Sequence, residues 1–142
     1  MHVGHIITRP LTSIDSTASI LDAATVMVTR NLGLLVVCDN KEKTKLVGVV
    51  SERDIMRAVA SGRRMSAPID EISTKRVITL KASSDVAEAA RAMNRYKIRH
   101  VVVVDDNETP IGVVSMRDLV GERATLTAIL QSHEKEVFVG GD

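Results

Sequence analysis

Residues 48–55 read Gly-Val-Val-Ser-Glu-Arg-Asp-Ile, and residues 112–119, sixty-four positions later, read Gly-Val-Val-Ser-Met-Arg-Asp-Leu. The two stretches agree at six of eight positions. Self-similarity at a fixed separation is typical of one supersecondary unit that has been used twice. We therefore expect two similar units that cover each other's apolar faces, and any ligand site should occur as a pair.

The repeat continues upstream at a constant offset of sixty-six, as in Met27 and Met93 or in Asp39 and Asp105. The offset falls to sixty-four between that aspartate and the glycine of the octapeptide. A polar surface loop tolerates such a change in length, whereas a packed element does not. The resulting division is a first repeat over 1–68, a second repeat over 69–131 and a C-terminal tail over 132–142.

The composition limits the class of protein. A chain of 142 residues is short for two independent units, so we expect the repeats to fuse into one core. Apolar residues make up 44% of the chain but aromatic residues only 1%, so this core must be aliphatic. The net charge of +1 gives no overall field that would recruit nucleic acid or an anionic membrane. Single-stranded nucleic acid also needs stacking aromatics, which one tyrosine and one phenylalanine cannot provide.

Metal and disulfide chemistry finds little support in the sequence. The lone Cys38 excludes an internal disulfide and a multi-cysteine zinc site. His2, His5 and His133 are scattered, with no carboxylate or cysteine at ligand spacing, so we predict no metal site. The start of the chain has no long apolar run that could serve as a signal peptide. We expect a soluble cytoplasmic protein with no membrane association.

Helices are predicted from apolar residues that recur at three- and four-residue spacing. This period covers residues 19–30 and 85–95, whose first residues, a serine and an aspartate, can accept hydrogen bonds from the free amides of the first turn. The Ser-x-x-Asp of each octapeptide opens a further helical stretch, over 52–60 and 116–130, with the serine at the cap position.

Strands are predicted from short apolar runs that are rich in β-branched residues. The runs over 32–37 and 98–104 are too short for typical helices, and a polar turn joins each to a second run, over 46–50 and 111–114. Each pair should form an antiparallel hairpin. With a first strand ahead of each helix, the unit is β-α-β-β-α, and the fold class is α/β (α+β).

These residues carry a family resemblance. A helix, an apolar strand ending in Val-Val-x-Asp, a charged turn and then Gly-Val-Val-Ser-x-x-Asp-Ile resemble the cystathionine beta-synthase (CBS) domain. Over about residues 3–131 the chain is similar to a free-standing tandem pair of such domains. The resemblance implies two repeats packed about a pseudo-twofold axis, often doubled into a flat homodimer, with adenosyl ligands in the clefts between the repeats. Members often carry proline where this chain has Val36 and Val102.

The octapeptides contain the residue types that a nucleotide needs. Ser115 and the amides of a helix start could hold phosphate oxygens, and Arg117 supplies a forked cation. Asp118 could accept hydrogen bonds from both ribose hydroxyls, which is the role that the resemblance also implies. The alternative is that the serine caps the helix and the aspartate favours its dipole, without any ligand. The first copy offers the same types in Ser51, Arg53 and Asp54.

The copies differ most where the first hairpin strand begins. The second copy has Arg99 and His100, and the first has Gly33 and Leu34 at the same register. The resemblance implies that this segment lines the cleft and that its basic side chains meet phosphate. Alternatively, the arginine points to water and the histidine packs beside the other repeat. Gly33 would let a flat ring approach the backbone closely.

We therefore predict two unequal clefts. The cleft of Asp118 would combine residues of both copies, namely Leu11, Leu32, Leu34, His100, Ser115 and Arg117. The cleft of Asp54 would likewise use Val77, Ile78, Ile98, Arg99, Ser51 and Arg53. Thr12, Gly33 and Val101 complete the candidate set.

The predicted function is a non-catalytic regulatory module that binds AMP, ADP or ATP and signals to a partner protein. No catalytic triad, metal cluster or carboxylate pair with distinct roles can be assembled from the motifs. The basic groups would oppose the sulfonium charge of S-adenosylmethionine, so that ligand is less favoured, as is NAD. The hypothesis from another class is a dimerisation scaffold with no nucleotide.

Overall fold

The computed structural model describes residues 1–39, 44–121 and 123–132. The first copy comprises β1 (Ser13–Asp15), α1 (Ile20–Arg30), β2 (Leu34–Cys38), β3 (Leu46–Ser51) and α2 (Glu52–Ala60). The second copy comprises β4 (Thr79–Lys81), α3 (Val86–Tyr96), β5 (His100–Val104), β6 (Pro110–Ser115), α4 (Met116–Gly121) and α5 (Arg123–Ser132). The predicted order of elements is confirmed in both copies. The predicted tail, apart from Ser132, lies outside the described residues, as does His133.

Each copy forms one three-stranded sheet with the same topology. The central strand, β2 or β5, pairs in parallel with the first strand and antiparallel with the third. A helix connects each parallel pair, because parallel neighbours cannot be joined by a tight turn. The registers are also the same, since Leu34 lies opposite Ser51 and His100 lies opposite Ser115. The two predicted hairpins are therefore confirmed.

The helices between the parallel strands begin and end as local chemistry dictates. Ser19 caps α1, and the side chain of Asp85 caps α3 by accepting a hydrogen bond from the backbone amide of Ala87. At the other end, Asn31 and Lys97 adopt left-handed backbone angles, with φ of 54° and 55°. Such a residue stops a helix and redirects the chain, here toward the central strand.

The helix predicted over 116–130 corresponds to α4 and α5, which the structure describes on either side of residue 122. α5 packs against α3. Within α5, Ile129 is only 4% exposed and belongs to the core of the second copy.

The expectation of one fused core also needs correction, because there are three clusters. Each copy has its own aliphatic core between its sheet and its helices. The third cluster lies where the two sheets meet and contains Val36 and Cys38 of the first copy with Val102 and Val104 of the second. These are equivalent pairs of the repeat. Equivalent residues meet in this way when two units are related by a pseudo-twofold axis.

The segment that precedes the first strand of each copy packs on the other copy. The backbone amide of Val3 donates to the carbonyl of Ser84 at 2.7 Å, and the Val3 side chain is fully buried in the second core. The equivalent Ile69 donates to the carbonyl of Ala18 at 2.7 Å and is fully buried in the first core. The two leaders, residues 1–7 and 69–74, are thus exchanged, and each copy is completed by chain from the other.

Candidate functional site

Both Ser-x-x-Asp motifs form reciprocal capping boxes. The Asp54 amide donates to Ser51 Oγ at 3.2 Å, and the Ser51 amide donates to Asp54 Oδ2 at 2.8 Å. Ser115 and Asp118 repeat this arrangement at 3.0 and 2.8 Å. A third box on α1, at its N-cap serine, has the same geometry but lies outside both octapeptides. The capping interpretation is therefore correct, and capping alone does not identify a ligand site.

The capping boxes leave binding capacity at the aspartates. Each carboxylate uses Oδ2 for the cap, and Oδ1 of Asp54 faces Arg57 at 3.9 Å. Asp54 is 15% exposed in its side chain, whereas Asp118 is an exposed residue and has no ion pair among the described residues. Because an ionised carboxylate has two oxygens and about four lone pairs, Asp118 can still accept from a ribose.

The serines can serve two partners as well. The hydroxyl oxygen of Ser115 accepts from the amide of Asp118, which leaves its own proton free to be donated to a phosphate oxygen. The arginines that follow the serines, Arg53 and Arg117, are exposed and form no salt bridge within the part of the chain that the structure describes. Both cations are therefore available to an anion.

The backbone joins each helix start to the strand behind it. The amide of Glu52 donates to the carbonyl of Gly33 at 3.2 Å, and the amide of Met116 donates to the carbonyl of Arg99 at 2.8 Å. With the cap bonds, two of the first three amides in each helix already have partners. Free amides were predicted to bind phosphate. In the first turn of each helix, only the amide of the intervening arginine, Arg53 or Arg117, remains for this role, together with side chains.

The two copies come into contact at Gly33 and His100. A Cβ atom placed on Gly33 would lie 3.2 Å from Cε1 and 3.3 Å from Nε2 of His100, and 3.7 Å from Oε1 of Glu52. The histidine ring therefore reaches across to the first copy and occupies the space that a side chain at position 33 would need. Gly33 admits a flat ring, as predicted, but in this structure the ring belongs to His100.

The environment of His100 changes its protonation. Burial lowers the pKa of His100, because the charged imidazolium loses its water. The nearby carboxylates of Asp118 and Glu52 raise the pKa, and the Arg99 cation lowers it further. The net result is a lowered pKa. Glu52, which the sequence analysis did not select, therefore belongs to the surroundings of the predicted site.

The apolar candidates divide into two groups. Leu11, Leu34 and Val77 pack against the cluster between the sheets, where they can border a cleft between the copies. Leu32 packs against the core of the first copy and Ile98 against the core of the second. The first group faces both repeats, and each member of the second group supports its own repeat.

The remaining candidates sit beside the strands. Thr12 is half-buried ahead of β1, and half-buried Ile78 accepts a hydrogen bond from the amide of Val102 at 3.3 Å. Val101 is fully buried in the second core and pairs with Val114. Side chains alternate along a strand, so Val101 points away from the face that carries His100. The predicted ligand contact of Val101 therefore cannot come from its side chain in this arrangement.

A cavity of about 350 Å³ opens at the opposite ends of the strands. It lies between the hairpin of the first copy and the second sheet, and none of the predicted site residues lines it. Its lining residues are Thr44, Lys45, Leu46, Thr79, Val104, Asn107 and Glu108.

Within residues 1–39, 44–121 and 123–132, no helix is both long and apolar enough to cross a membrane. In the same residues, no group of three or more histidine, cysteine, aspartate or glutamate side chains is arranged to hold a metal ion.

Comparison with known proteins identifies the family. The sequence model of the CBS domain matches residues 3–61 and 69–124, which is one match for each copy. The chain is also similar to solved structures of stand-alone CBS domain proteins. The CBS domain protein PAE2072 from Pyrobaculum aerophilum, complexed with AMP, is 38% identical over 92% of this chain and 99% of its own, with a TM-score of 0.88. The chain therefore belongs to the CBS domain family, as its motifs predicted.

A second solved structure and the sequence of a longer enzyme also resemble this chain. The CBS domain pair of protein MJ0100, in complex with 5'-methylthioadenosine and S-adenosyl-L-methionine, is 30% identical over 85% of this chain and 94% of its own, with a TM-score of 0.77. The L-aspartate semialdehyde sulfurtransferase of Methanocaldococcus jannaschii is 34% identical over 117 residues, which is 82% of this chain. This chain spans only 22% of that enzyme's length, so the likeness does not extend to the whole protein.

Proposed function

We propose that this protein is a non-catalytic regulatory module that binds an adenine nucleotide between its two CBS repeats and reports occupancy to a partner protein. The observation that carries the proposal is the exposed, only partly used carboxylate of Asp118 beside Ser115, Arg117 and His100. The likeness to a CBS domain protein complexed with AMP supports the ligand class.

Each group has a chemical role in this proposal. Asp118 accepts hydrogen bonds from the two ribose hydroxyls through the lone pairs that the cap does not use. Ser115 donates its hydroxyl proton to the phosphate, and Arg117 provides a forked cation for its oxygens. The cleft of Asp54 offers Ser51, Arg53 and Arg99 in the same roles. Since the amides of Met116 and Asp118 already have partners, side chains supply most of the attraction.

AMP is the first ligand to test. Three exposed arginines border the clefts, and phosphate suits them better than a cationic sulfonium does. S-adenosylmethionine and 5'-methylthioadenosine remain in the test panel because the related MJ0100 pair was crystallised with both. ADP, ATP and NAD complete it, since all share the adenosyl group.

Signalling would follow from the way the clefts are built. Gly33 and His100 belong to different copies and lie against each other, so a ligand bound beside them contacts both copies and favours one relative arrangement of the repeats. A ligand shifts such an equilibrium by its difference in affinity for the two arrangements. The partner protein would recognise the arrangement that the ligand favours. The exposed apolar side chains of α1 and α2 would contact a second copy in a homodimer. These are Leu21, Val28, Met56 and Val59.

The test is isothermal titration of the wild type, Asp118→Ala and Asp54→Ala with the panel of ligands. Asp22→Ala is the matched control, because Asp22 completes the third capping box on α1 and lies outside the clefts. All three substitutions should cost about 1 kcal/mol of stability through the lost cap. Only the first two should weaken binding, by about 10- to 150-fold for a hydrogen-bonded charge.

The outcomes separate the hypotheses. Saturable binding that weakens in Asp118→Ala but not in Asp22→Ala supports the regulatory module. Equal weakening in both variants would assign Asp118 to capping alone. If the folded wild type binds none of the ligands, the dimerisation scaffold becomes the better interpretation, and sedimentation velocity would then test for the homodimer.

A further inference from the structure

The two copies carry different side chains at three positions around the contact between the repeats. The first copy has Gly33 and Leu34 before and at the start of its central strand, and the second has Arg99 and His100. Immediately after the cap serine, the first copy has Glu52, whereas the second has Met116. An acid and a histidine are thus contributed by different copies, and neither has an equivalent across the pseudo-twofold axis.

The structure brings this unmatched acid and this histidine to the same place. Nε2 of His100 and Oε1 of Glu52 both lie within 4 Å of the point where a Cβ atom on Gly33 would be. The absence of a side chain at Gly33 is what allows the ring to approach. At the equivalent positions of the other cleft, Leu34 and Met116 have no titratable group.

Three charged groups face His100. Glu52 approaches from the start of α2, Asp118 from α4, and Arg99 from the preceding residue of the chain. Burial outweighs the two carboxylates and keeps the pKa of His100 low in the protein without ligand. A bound phosphate would add negative charge beside the ring and shift the balance toward the imidazolium.

We propose that Glu52 and His100 make the two clefts chemically different, so that the Asp118 cleft takes up a proton together with a phosphate and the Asp54 cleft does not. This inference rests on the proposed binding of a nucleotide. The proton passes from solvent to the imidazole of His100, and no other bond forms or breaks. The imidazolium then donates toward the phosphate while Glu52 and Asp118 stabilise its charge. Glu52 is a positioning and specificity residue in this scheme.

The sign of the pH dependence follows from linkage. Because the pKa of His100 is higher with phosphate bound than without it, affinity is greatest below the pKa of the free protein. It declines as pH rises through the pKa of the complex. Between those two values the affinity of this cleft should change by up to about tenfold for each pH unit. The affinity of the Asp54 cleft should change over the same range only with the second ionisation of the phosphate itself, whose pKa is about 6.

The experiment is titration with AMP in buffers of different ionisation enthalpy, between pH 6 and pH 8, which counts the protons taken up. We expect the wild type to take up a measurable amount of proton, up to one per chain. His100→Leu, which installs the residue type of the first copy, should bind AMP more weakly and without proton uptake. Glu52→Met, which installs the residue type of the second copy, should reduce the uptake. His5→Leu is the control, because His5 stacks on His2 in the leader, and it should behave as the wild type does.

Failure of this inference can be told apart from failure of the proposed function. If AMP does not bind at any pH, the proposed function fails. If AMP binds but uptake is zero, or if His100→Leu retains the uptake, the coupling between Glu52, His100 and phosphate is wrong although the binding stands. Should His100→Leu fold poorly, the pKa of His100 in the wild type can be followed by NMR with and without AMP. A pKa that does not rise on binding also overturns the inference.

Discussion

The two copies share a framework and differ at the edge of the clefts. Both have a capping box after the third strand, the same mixed sheet and the same register between Leu34 and Ser51 or His100 and Ser115. At the contact between the copies, Gly33 faces His100, and no corresponding histidine exists in the first copy. The caps and strand registers therefore constrain the framework in each copy, whereas cleft side chains can diverge without disturbing it.

The helix ends illustrate how position outweighs residue type. Asn31 and Lys97 occupy equivalent sites after α1 and α3 and have nearly the same left-handed φ, 54° and 55°. Asparagine tolerates this region well and lysine tolerates it less. The sharp turn into a buried central strand therefore determines the conformation, and packing of the copy stabilises it.

The largest expected effect comes from breaking the exchange of leaders. Ile69→Ala removes a fully buried side chain from the first core and should lower the free energy of unfolding by about 2 to 5 kcal/mol. Val3→Ala removes a smaller, equally buried side chain from the second core and should cost less. Urea denaturation would measure both values.

Hydrogen exchange would show where each loss occurs. Val3→Ala should weaken the protection of amides near Ser84 and Val86 in the second copy, since the leader bonds to both regions. Ile69→Ala should weaken the protection of α1 in the first copy. If Val3→Ala instead weakened protection in the first copy, or Ile69→Ala in the second, the exchange of leaders would be contradicted.

The repeat made the framework predictable, but not the exchange of leaders. The offset between the octapeptides indicated the unit, and the hydroxyl or acidic residue before each apolar period indicated where α1 and α3 begin. The leaders are short and contain 3-10 turns, and their apolar residues are Met1, Val3, Ile6 and Ile7 in one and Ile69 and Ile72 in the other. Their pattern shows that they are buried, yet it does not show which copy buries them.

A smaller effect is expected at the glycine that begins each octapeptide. A Cβ atom on Gly48 would lie 3.0 Å from the carbonyl oxygen of Thr74, which is backbone and cannot easily move. A Cβ atom on Gly112 would lie 2.8 Å from both Cδ1 and Cγ2 of Ile7, which are side-chain atoms and can shift with the rotamer of that residue. Gly48→Ala should therefore destabilise by about 1 to 3 kcal/mol, and Gly112→Ala by less.

Thermal denaturation of both alanine variants would check this order. Each glycine touches a leader from the other copy, so the comparison also measures how rigidly each leader is held. A larger loss in Gly112→Ala would mean that the Ile7 side chain cannot yield and that the second leader contact is the more rigid one.

The site was predictable in its residue types but only partly in its geometry. Ser115, Arg117 and Asp118 follow one another in sequence, so their proximity could be inferred from the motif. Glu52 approaches His100 only through packing of the two copies, and no sequence period connects them. The signal that could have found Glu52 was its mismatch with methionine in an octapeptide that is otherwise almost invariant between the copies.

The smallest expected effect is on the pH dependence of stability without any ligand, when His100 is compared with leucine, the residue at the equivalent position 34 of the first copy. Burial lowers the pKa of His100 in the folded protein, whereas the unfolded chain has the ordinary value of about 6.5. As pH falls below that value, the unfolded state binds the proton first, so the free energy of unfolding declines until pH passes the folded pKa. The wild type should therefore lose more stability between pH 8 and pH 5.5 than His100→Leu does.

The lowered pKa values of Asp15 and Asp85 do not interfere, because carboxyl groups titrate below this window. Urea midpoints at three pH values would measure the difference, and parallel curves for the two proteins would show that burial does not hold His100 neutral.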